Sequence, residues 1–244
     1  MIASKPDSQG RTMDKDRKAA RRGVGLAIVV LLVAAGVALG WFESRRWTPD
    51  RARFPVQGAW LDAHDGPVDW RMLKARGADF VYLTATEGAD RRDEAYTTGL
   101  EAARAQALQV GSVHVYDLCA PADAQAANFV TIVPRDPALL PPAIALDIDS
   151  RSCPAPPGEA AMQSELTTFL NQIEKHTEKP AILMVSRGFE SRYRLATLVD
   201  RNLWVRQDFL EPGYAGPAWV MWTATTRLRL DGVAGPVRWV AVRR

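Results

Sequence analysis

The sequence predicts an α/β protein, a (β/α) barrel of the TIM type in which five strand–helix units are followed by three strands. Strand-like and helix-like segments alternate from residue 55 to residue 198, and the segments that follow are strand-like, without room for full helices between them. Alternation favours a parallel sheet, and eight strands can close into a barrel. An open, doubly wound sheet is the alternative, but no glycine-rich phosphate-binding motif follows the first strand.

Each element rests on its own local pattern. Apolar runs rich in β-branched and aromatic residues predict the strands, which are Pro55–Leu61, Phe80–Ala85, Gln109–Tyr116, Ala143–Asp149, Ala181–Ser186, Leu203–Arg206, Trp219–Ala224 and Val237–Val242. Apolar residues at helical spacing predict the helices, which are Asp69–Arg76, Asp93–Gln106, Asp123–Ile132, Glu159–His176 and Phe189–Leu198.

An uncharged run of 20 residues, Gly23–Phe42, predicts a transmembrane helix ahead of the barrel. At about 1.5 Å per residue it crosses a hydrocarbon layer of about 30 Å. Four basic residues precede it directly, at positions 17, 18, 21 and 22, and such clusters stay in the cytoplasm. A cleaved signal peptide is the alternative, although this run is longer than a signal segment and has no clear cleavage site.

The predicted organisation has four parts. Residues 1–22 form a basic cytoplasmic tail, 23–42 the anchor, 43–53 a linker and 54–244 the barrel domain, which we expect to lie in the periplasm or outside the cell, tethered to the inner membrane of a bacterium. Residues 1–53 hold 11 basic and 5 acidic residues, whereas the rest of the chain holds 20 basic and 23 acidic residues. The basic character therefore belongs to the tail, which argues against nucleic acid as a partner of the barrel.

Polar residues that follow the predicted strands define the candidate site, because function in such barrels lies at the carboxyl ends of the strands. Acids, a histidine and tryptophans together are typical of a carbohydrate site, in which carboxylates perform acid–base chemistry. Asp147 and Asp149 are two residues apart, so they share a strand face, and two close carboxylates raise each other's proton affinity. A pair of this kind is also typical of a metal site or a helix cap.

Ordered motifs along the domain resemble glycoside hydrolase family 25, the muramidases. Gly58–Trp70 is similar to the family's opening motif G-I-D-V-S-x-x-Q-G-x-I-D-W, and Phe80–Gly88 is similar to F-V-x-x-K-A-T-E-G. Gly111–Val115 resembles G-x-Y-H-F, Leu146–Asp149 resembles L-D-x-E, and Lys179–Ser186 resembles K-P-x-I-Y-x-S. The resemblance implies a barrel of the architecture above and cleavage of peptidoglycan after N-acetylmuramic acid, with no cofactor and no metal.

The resemblance also implies the roles of single residues. Asp149 stands in place of the family's glutamate, the general acid, and Asp147 would assist it. Substrate-binding residues would be Glu87, His114 and Trp222, with Trp60 in place of the first-strand aspartate and Asp62 as a displaced carboxylate. A histidine in mid-strand among valines is also typical of a satisfied interior residue, and Trp222 of packing at the barrel rim. Further family positions are replaced by Thr84 for lysine, Val113 and Met184 for tyrosine, Thr223 for glutamine and Arg238 for aspartate.

Two functions remain open on the sequence. The first is a peptidoglycan hydrolase that uses the two aspartates. The second is a catalytically eroded module that binds peptidoglycan or a protein near the membrane, which the replaced acids favour.

The cysteines predict a disulfide. Cys119 and Cys153 follow the third and fourth strands, which neighbour each other in the predicted barrel, so both thiols belong to adjacent loops at one mouth. In an oxidising compartment two such cysteines form a bond.

Overall fold

The computed structural model describes residues 29–148, 153 and 155–243. The chain divides into two compact units, Met1–Arg45 and Arg46–Arg244. In the first unit, residues 29–44 form helix α1, and its large apolar side chains are exposed. Within the described residues, no helix has both the length and the hydropathy needed to span a bilayer. The predicted span 23–42 begins at residues outside the described part of the chain.

The second unit holds the barrel and its helices. Its strands are β1 (Gln57–Leu61), β2 (Phe80–Glu87), β3 (Arg91–Arg92), β4 (Gln109–Val115), β5 (Ala143–Leu146), β6 (Ile182–Val185), β7 (Leu203–Arg206), β8 (Trp219–Leu228) and β9 (Val237–Val242). Its helices are α2 (Trp70–Ala75), α3 (Tyr96–Ala105), α4 (Ala122–Ile132), α5 (Glu159–Thr177), α6 (Arg187–Tyr193) and α7 (Leu195–Leu198).

Eight of these strands close into a barrel. The hydrogen-bonded order is β1-β9-β8-β7-β6-β5-β4-β2, with β1 paired to β2 and with β3 added to the outer end of β2. Neighbours from β1 through β2 and β4 to β8 are parallel, whereas β9 runs antiparallel to both β8 and β1. The predicted barrel of five strand–helix units and three final strands is therefore confirmed.

Some element bounds differ from the prediction for local reasons. The predicted helix Phe189–Leu198 is divided into α6 and α7, because Arg194 adopts a left-handed conformation with φ 48°. Strand β5 ends at Leu146, so Asp147 lies beyond the strand.

Aromatic rings fill the inside of the barrel. Tyr82 lies edge-on to Trp204 with ring centres 5.0 Å apart, and Trp204 lies edge-on to Trp60 with centres 6.1 Å apart. Gly111 on the neighbouring strand β4 makes room for Tyr82, since a Cβ at Gly111 would overlap the tyrosine ring. This interior is a packed core and not a channel.

A second apolar layer lies between the barrel wall and the helices, and His114 belongs to it. The side chain is fully buried and lies against Phe169 of α5, with ring centres 4.7 Å apart. Gln125 donates its amide hydrogens to the carbonyls of Asp117 and Ala120, so its Oε1 accepts a hydrogen bond from Nε2 of His114 at 3.1 Å.

The remaining ring nitrogen of His114 is also satisfied. Its Nδ1 accepts from the Thr86 hydroxyl at 2.8 Å, so the imidazole is neutral with its proton on Nε2. Burial lowers the pKa of His114 to about 4, although the bond to Gln125 opposes this shift. The side chain therefore fixes β4 to α4 as an uncharged ring.

This burial predicts an acid-sensitive fold. The unfolded chain binds a proton at His114 near pH 6.5, and the folded chain binds one only near pH 4. The contribution of neutral His114 to the free energy of unfolding is therefore fully present above pH 6.5. It falls by about 3 kcal/mol as the pH drops from 6.5 to 4. We expect His114→Gln to flatten this slope relative to the wild type in urea titrations at pH 7, 6, 5 and 4. An unchanged slope in His114→Gln would contradict the assignment.

The structure joins Cys119 and Cys153, the two cysteines that the sequence paired, with their Cα atoms 5.1 Å apart. The bond ties the loop after β5 to the turn after β4. That turn is itself fixed, because the Asp117 amide donates to Gln125 at 2.8 Å and the Cys119 amide to Asp117 at 2.9 Å.

Reduction of this bond is expected to destabilise the barrel. The disulfide closes a loop with a sequence separation of 34 residues, for which chain entropy gives about 3 to 4 kcal/mol. We expect a phosphine reductant to lower the melting temperature of the wild type and to leave the Cys119→Ala/Cys153→Ala variant at its own lower value. Equal melting curves for reduced and oxidised wild type would contradict a stabilising role of the disulfide.

Candidate functional site

The barrel mouth is closed on its axis by Trp60. This side chain points inward from the end of β1 and is 6% exposed. Its Nε1 donates to the Thr84 hydroxyl at 3.0 Å, and its ring packs edge-on against Trp204. The indole N–H is therefore satisfied inside the barrel, and the ring occupies the place that the family pattern gives to a carboxylate.

Arg238 covers the Trp60 ring. The two residues are direct partners in the antiparallel pair of β1 and β9, and the guanidinium carbon lies 4.3 Å from the ring centre. Nε of Arg238 donates to the Trp60 carbonyl at 3.0 Å. Its Nη1 donates to Asp62 at 2.8 Å and its Nη2 to Asp65 at 2.5 Å. One guanidinium therefore holds an aromatic face, a carbonyl and two carboxylates.

The two carboxylates respond differently to this arginine. Burial alone would raise the pKa of Asp62, but the charge and hydrogen bond of Arg238 and the backbone amide of His64 hold that pKa below its usual value. Burial raises the pKa of Asp65 above its usual value, and the nearby Asp62 carboxylate adds to this, so Arg238 offsets only part of the shift. Asp62, the displaced carboxylate of the sequence analysis, is thus an ionised partner of Arg238.

A second arginine reaches the next acid along the mouth. Asp147 follows β5; its Oδ1 accepts from the Ser186 hydroxyl at 3.0 Å, and its Oδ2 lies 3.4 Å from Nη1 of Arg206. The Arg206 guanidinium also lies 5.8 Å from the centre of the Trp60 ring. Asp149, the candidate general acid, lies outside the described residues.

Glu87 lies at the end of β2 beside an open cleft. Its carboxylate pairs with Arg91 at 2.6 Å, and about half of the side chain is exposed. The cleft has a volume of about 450 Å³ and is lined mainly by polar side chains from β2, β3 and the turn after β1, among them Asp62, His64 and Arg92. The structure therefore brings Glu87 and Asp62 to one cleft of the mouth.

His114 and Trp222 do not take part in this site. His114 has no exposed surface, and Trp222 is 2% exposed and packs against Phe54 and Trp219 on the outer face of the barrel. The Trp222 indole donates to the Gln207 carbonyl at 2.8 Å. Alternation along a strand explains both positions, because Val113 and Met221, the residues before them, point into the barrel.

The two arginines belong to the site although no sequence pattern assigned them to it. Arg238 replaces an aspartate of the family pattern, but its pairing with Trp60 depends on the register of β9, which no local pattern gives. Arg206 ends the short apolar strand β7, and a charged residue at the carboxyl end of such a strand is a sequence signal for a residue of the site. Among the described residues, no cluster of three or more His, Cys, Asp or Glu side chains could hold a metal ion.

The chemistry of this mouth is that of paired charges. Asp62, Asp65 and Asp147 each have an arginine partner, so their carboxylate oxygens are engaged in ion pairs. The arrangement can bind polar groups at its open side. General acid chemistry would depend on Asp149.

Comparison with known proteins agrees with this fold. The chain is similar to a family 25 glycosyl hydrolase from Bacillus anthracis (23% identity, TM-score 0.73, covering 81% of this chain and 92% of that one). It is also similar to a bacterial lysozyme from Streptomyces coelicolor (20% identity, TM-score 0.68, 77% and 91%). The Escherichia coli protein YegX is 24% identical over 192 residues, 76% of this chain and 69% of YegX.

The family model of the glycosyl hydrolases family 25 matches residues 61–233, which run from the last residue of β1 through the end of β8. The match spans more than half of the chain. The chain therefore belongs to glycosyl hydrolase family 25.

Proposed function

We propose that this protein is a membrane-anchored member of family 25 that binds peptidoglycan and hydrolyses it weakly or not detectably. Family membership and the likeness to a bacterial lysozyme support peptidoglycan as the partner. The pairing of Trp60 with Arg238 supports the loss of turnover, and it is the observation that carries the proposal.

Trp60 and Arg238 act against catalysis in two ways. A sugar that is distorted toward an oxocarbenium-like state needs open space and negative charge at the reacting carbon. Here an indole ring fills that space, and the guanidinium of Arg238 places positive charge over it. Arg206 beside Asp147 adds a second positive charge. The barrel axis therefore disfavours the developing cation.

The short acid adds to this effect. Asp149 is one methylene shorter than the glutamate of the family pattern, and a proton donor must lie within about 3 Å of the leaving oxygen. A misplacement of about 1 Å costs about 100-fold in rate. The rival function is a working hydrolase in which Asp149 donates the proton and Asp147 stabilises the charge, and the retention of Asp147 at the mouth favours it.

The first test measures hydrolysis and binding together. We expect wild-type protein to sediment with purified peptidoglycan sacculi and to release few or no reducing ends. Asp149→Glu with Trp60→Asp should raise hydrolysis more than either change alone, because both groups act on one transition state. Adding Arg238→Asp should raise it further, since Arg238 would otherwise pair with the new aspartate.

Arg71→Asp, on the exposed side of α2, makes the same charge change away from the mouth and should leave hydrolysis at the level of its parent. Melting curves check that each variant folds. Rapid wild-type turnover that disappears in Asp149→Asn would favour the working hydrolase. Failure of the wild type to sediment with sacculi would contradict peptidoglycan as the partner.

We propose that the N-terminal segment anchors the barrel to the bacterial inner membrane, with residues 1–22 in the cytoplasm. The uncharged run and the basic cluster before it support this orientation. A disulfide between Cys119 and Cys153 fits an oxidising compartment for the barrel.

Reporter fusions at the C-terminus test this orientation. We expect alkaline phosphatase, which needs export for its disulfides, to be active there, and a fluorescent protein that folds only in the cytoplasm to stay dark. Removing the basic cluster by changing residues 17, 18, 21 and 22 to glutamine should weaken the preference for this orientation and so reduce the difference between the two reporters. An inactive phosphatase together with a fluorescent cytoplasmic reporter would place the C-terminus in the cytoplasm and contradict the proposed topology.

A further inference from the structure

An apolar pocket opens beside the plugged axis of the barrel. It has a volume of about 250 Å³ and lies between the ends of β1 and β2 and helices α2 and α3. The polar cleft next to Glu87 shares three lining residues with it, which are Asp62, Thr84 and Asp93. The two cavities therefore meet along one polar rim, off the axis.

The walls of this pocket are aromatic and aliphatic. Trp70 is half-buried and contributes an indole, and Leu61 and Leu83 form the side of the barrel wall. Gly99 of α3 keeps the pocket open, since a Cβ there would lie 3.2 Å from Cδ1 of Leu83 and 3.4 Å from Cζ2 of Trp70. An apolar pocket with a few convergent polar groups is typical of a small-ligand site.

The rim is fixed in place before any ligand arrives. Asp93 accepts from the amides of Ala63 and Ala95, each at 2.9 Å, so its carboxylate is held rigidly while further lone pairs stay available. Thr84 accepts from Trp60, and among the described residues its own hydroxyl hydrogen has no acceptor. The rim thus presents fixed carboxylate acceptors and one hydroxyl donor.

We propose that this off-axis pocket binds one N-acetylated sugar ring of the glycan, in place of the axis that Trp60 closes. The inference rests on the proposed function and names the site and the ligand. A cavity of about 150 Å³ holds benzene, so the larger pocket has room for one six-membered ring with a small substituent. The apolar face of the ring lies on Trp70, the sugar N–H and hydroxyl groups donate to Asp62 and Asp93, and Thr84 donates to the acetamido carbonyl.

A pair of matched substitutions on α3 tests the pocket. Ala102 lines it, whereas Ala105, one turn further along the same helix, is exposed and does not. We expect calorimetry on the full chain in detergent to give a tri-N-acetylchitotriose affinity at least about tenfold weaker for Ala102→Leu than for the wild type. Ala105→Leu should bind as the wild type does, and Gly99→Ala, a smaller intrusion, should fall between them.

Cellotriose, which lacks the acetamido groups, measures the specificity of the pocket. We expect it to bind at least about tenfold more weakly than tri-N-acetylchitotriose, because it leaves the Thr84 hydroxyl without its acceptor. Equal affinity for both sugars would overturn the proposed pocket site. Wild-type affinity in Ala102→Leu and Gly99→Ala, with unchanged melting curves, would overturn it as well. In either case, sacculus binding by the wild type would still uphold the proposed function. Binding of tri-N-acetylchitotriose without binding to sacculi would contradict the proposed function but would still support the pocket as a sugar site.

Discussion

The contact between Arg238 and Trp60 sets the properties of the whole barrel mouth. It joins the first and last strands of the barrel, because the two residues are direct partners in the β1–β9 ladder. A desolvated cation–π contact of this kind contributes about 2 kcal/mol, and the same guanidinium also binds Asp62 and Asp65. Removing it would leave two partly buried carboxylates without their counter-charge, which is costly. One side chain therefore supports the pairing of the first and last strands and also covers the ring that closes the axis.

The arginines change what the retained acids can do. Asp147 and Asp62 are acids at the mouth, but each lies beside a guanidinium at 3.4 Å and 2.8 Å respectively. In a site that promotes glycoside cleavage, unpaired negative charge faces the reacting carbon. Here the carboxylates of Asp62 and Asp147 form ion pairs with Arg238 and Arg206, which hold the loop after β1 and the end of β7 in place. Open space with available acceptors is left on the side of β2 and α3.

The sequence was sufficient for the architecture but not for the orientation of side chains in the site. Apolar runs and helical spacing locate β7 and β9 to the residue, and the neighbouring positions of β4 and β5 bring Cys119 and Cys153 together. His114 follows the inward-facing Val113 and so lies on the outer face of β4, where Thr86 reaches it because the register of β2 against β4 shifts between Thr84 and Thr86. No local pattern encodes that shift, nor the contact of Trp60 with Arg238 across 178 positions.

The replaced polar positions inside the barrel make sense only as a set. Trp60 brings an indole N–H into the interior, and Thr84 supplies its acceptor. A lysine at position 84, as in the family pattern, offers no acceptor and would add a positive charge close to Arg238. Thr223 does the same for Trp204, whose Nε1 donates to it at 2.8 Å. Residues that would otherwise face a substrate thus satisfy buried indoles.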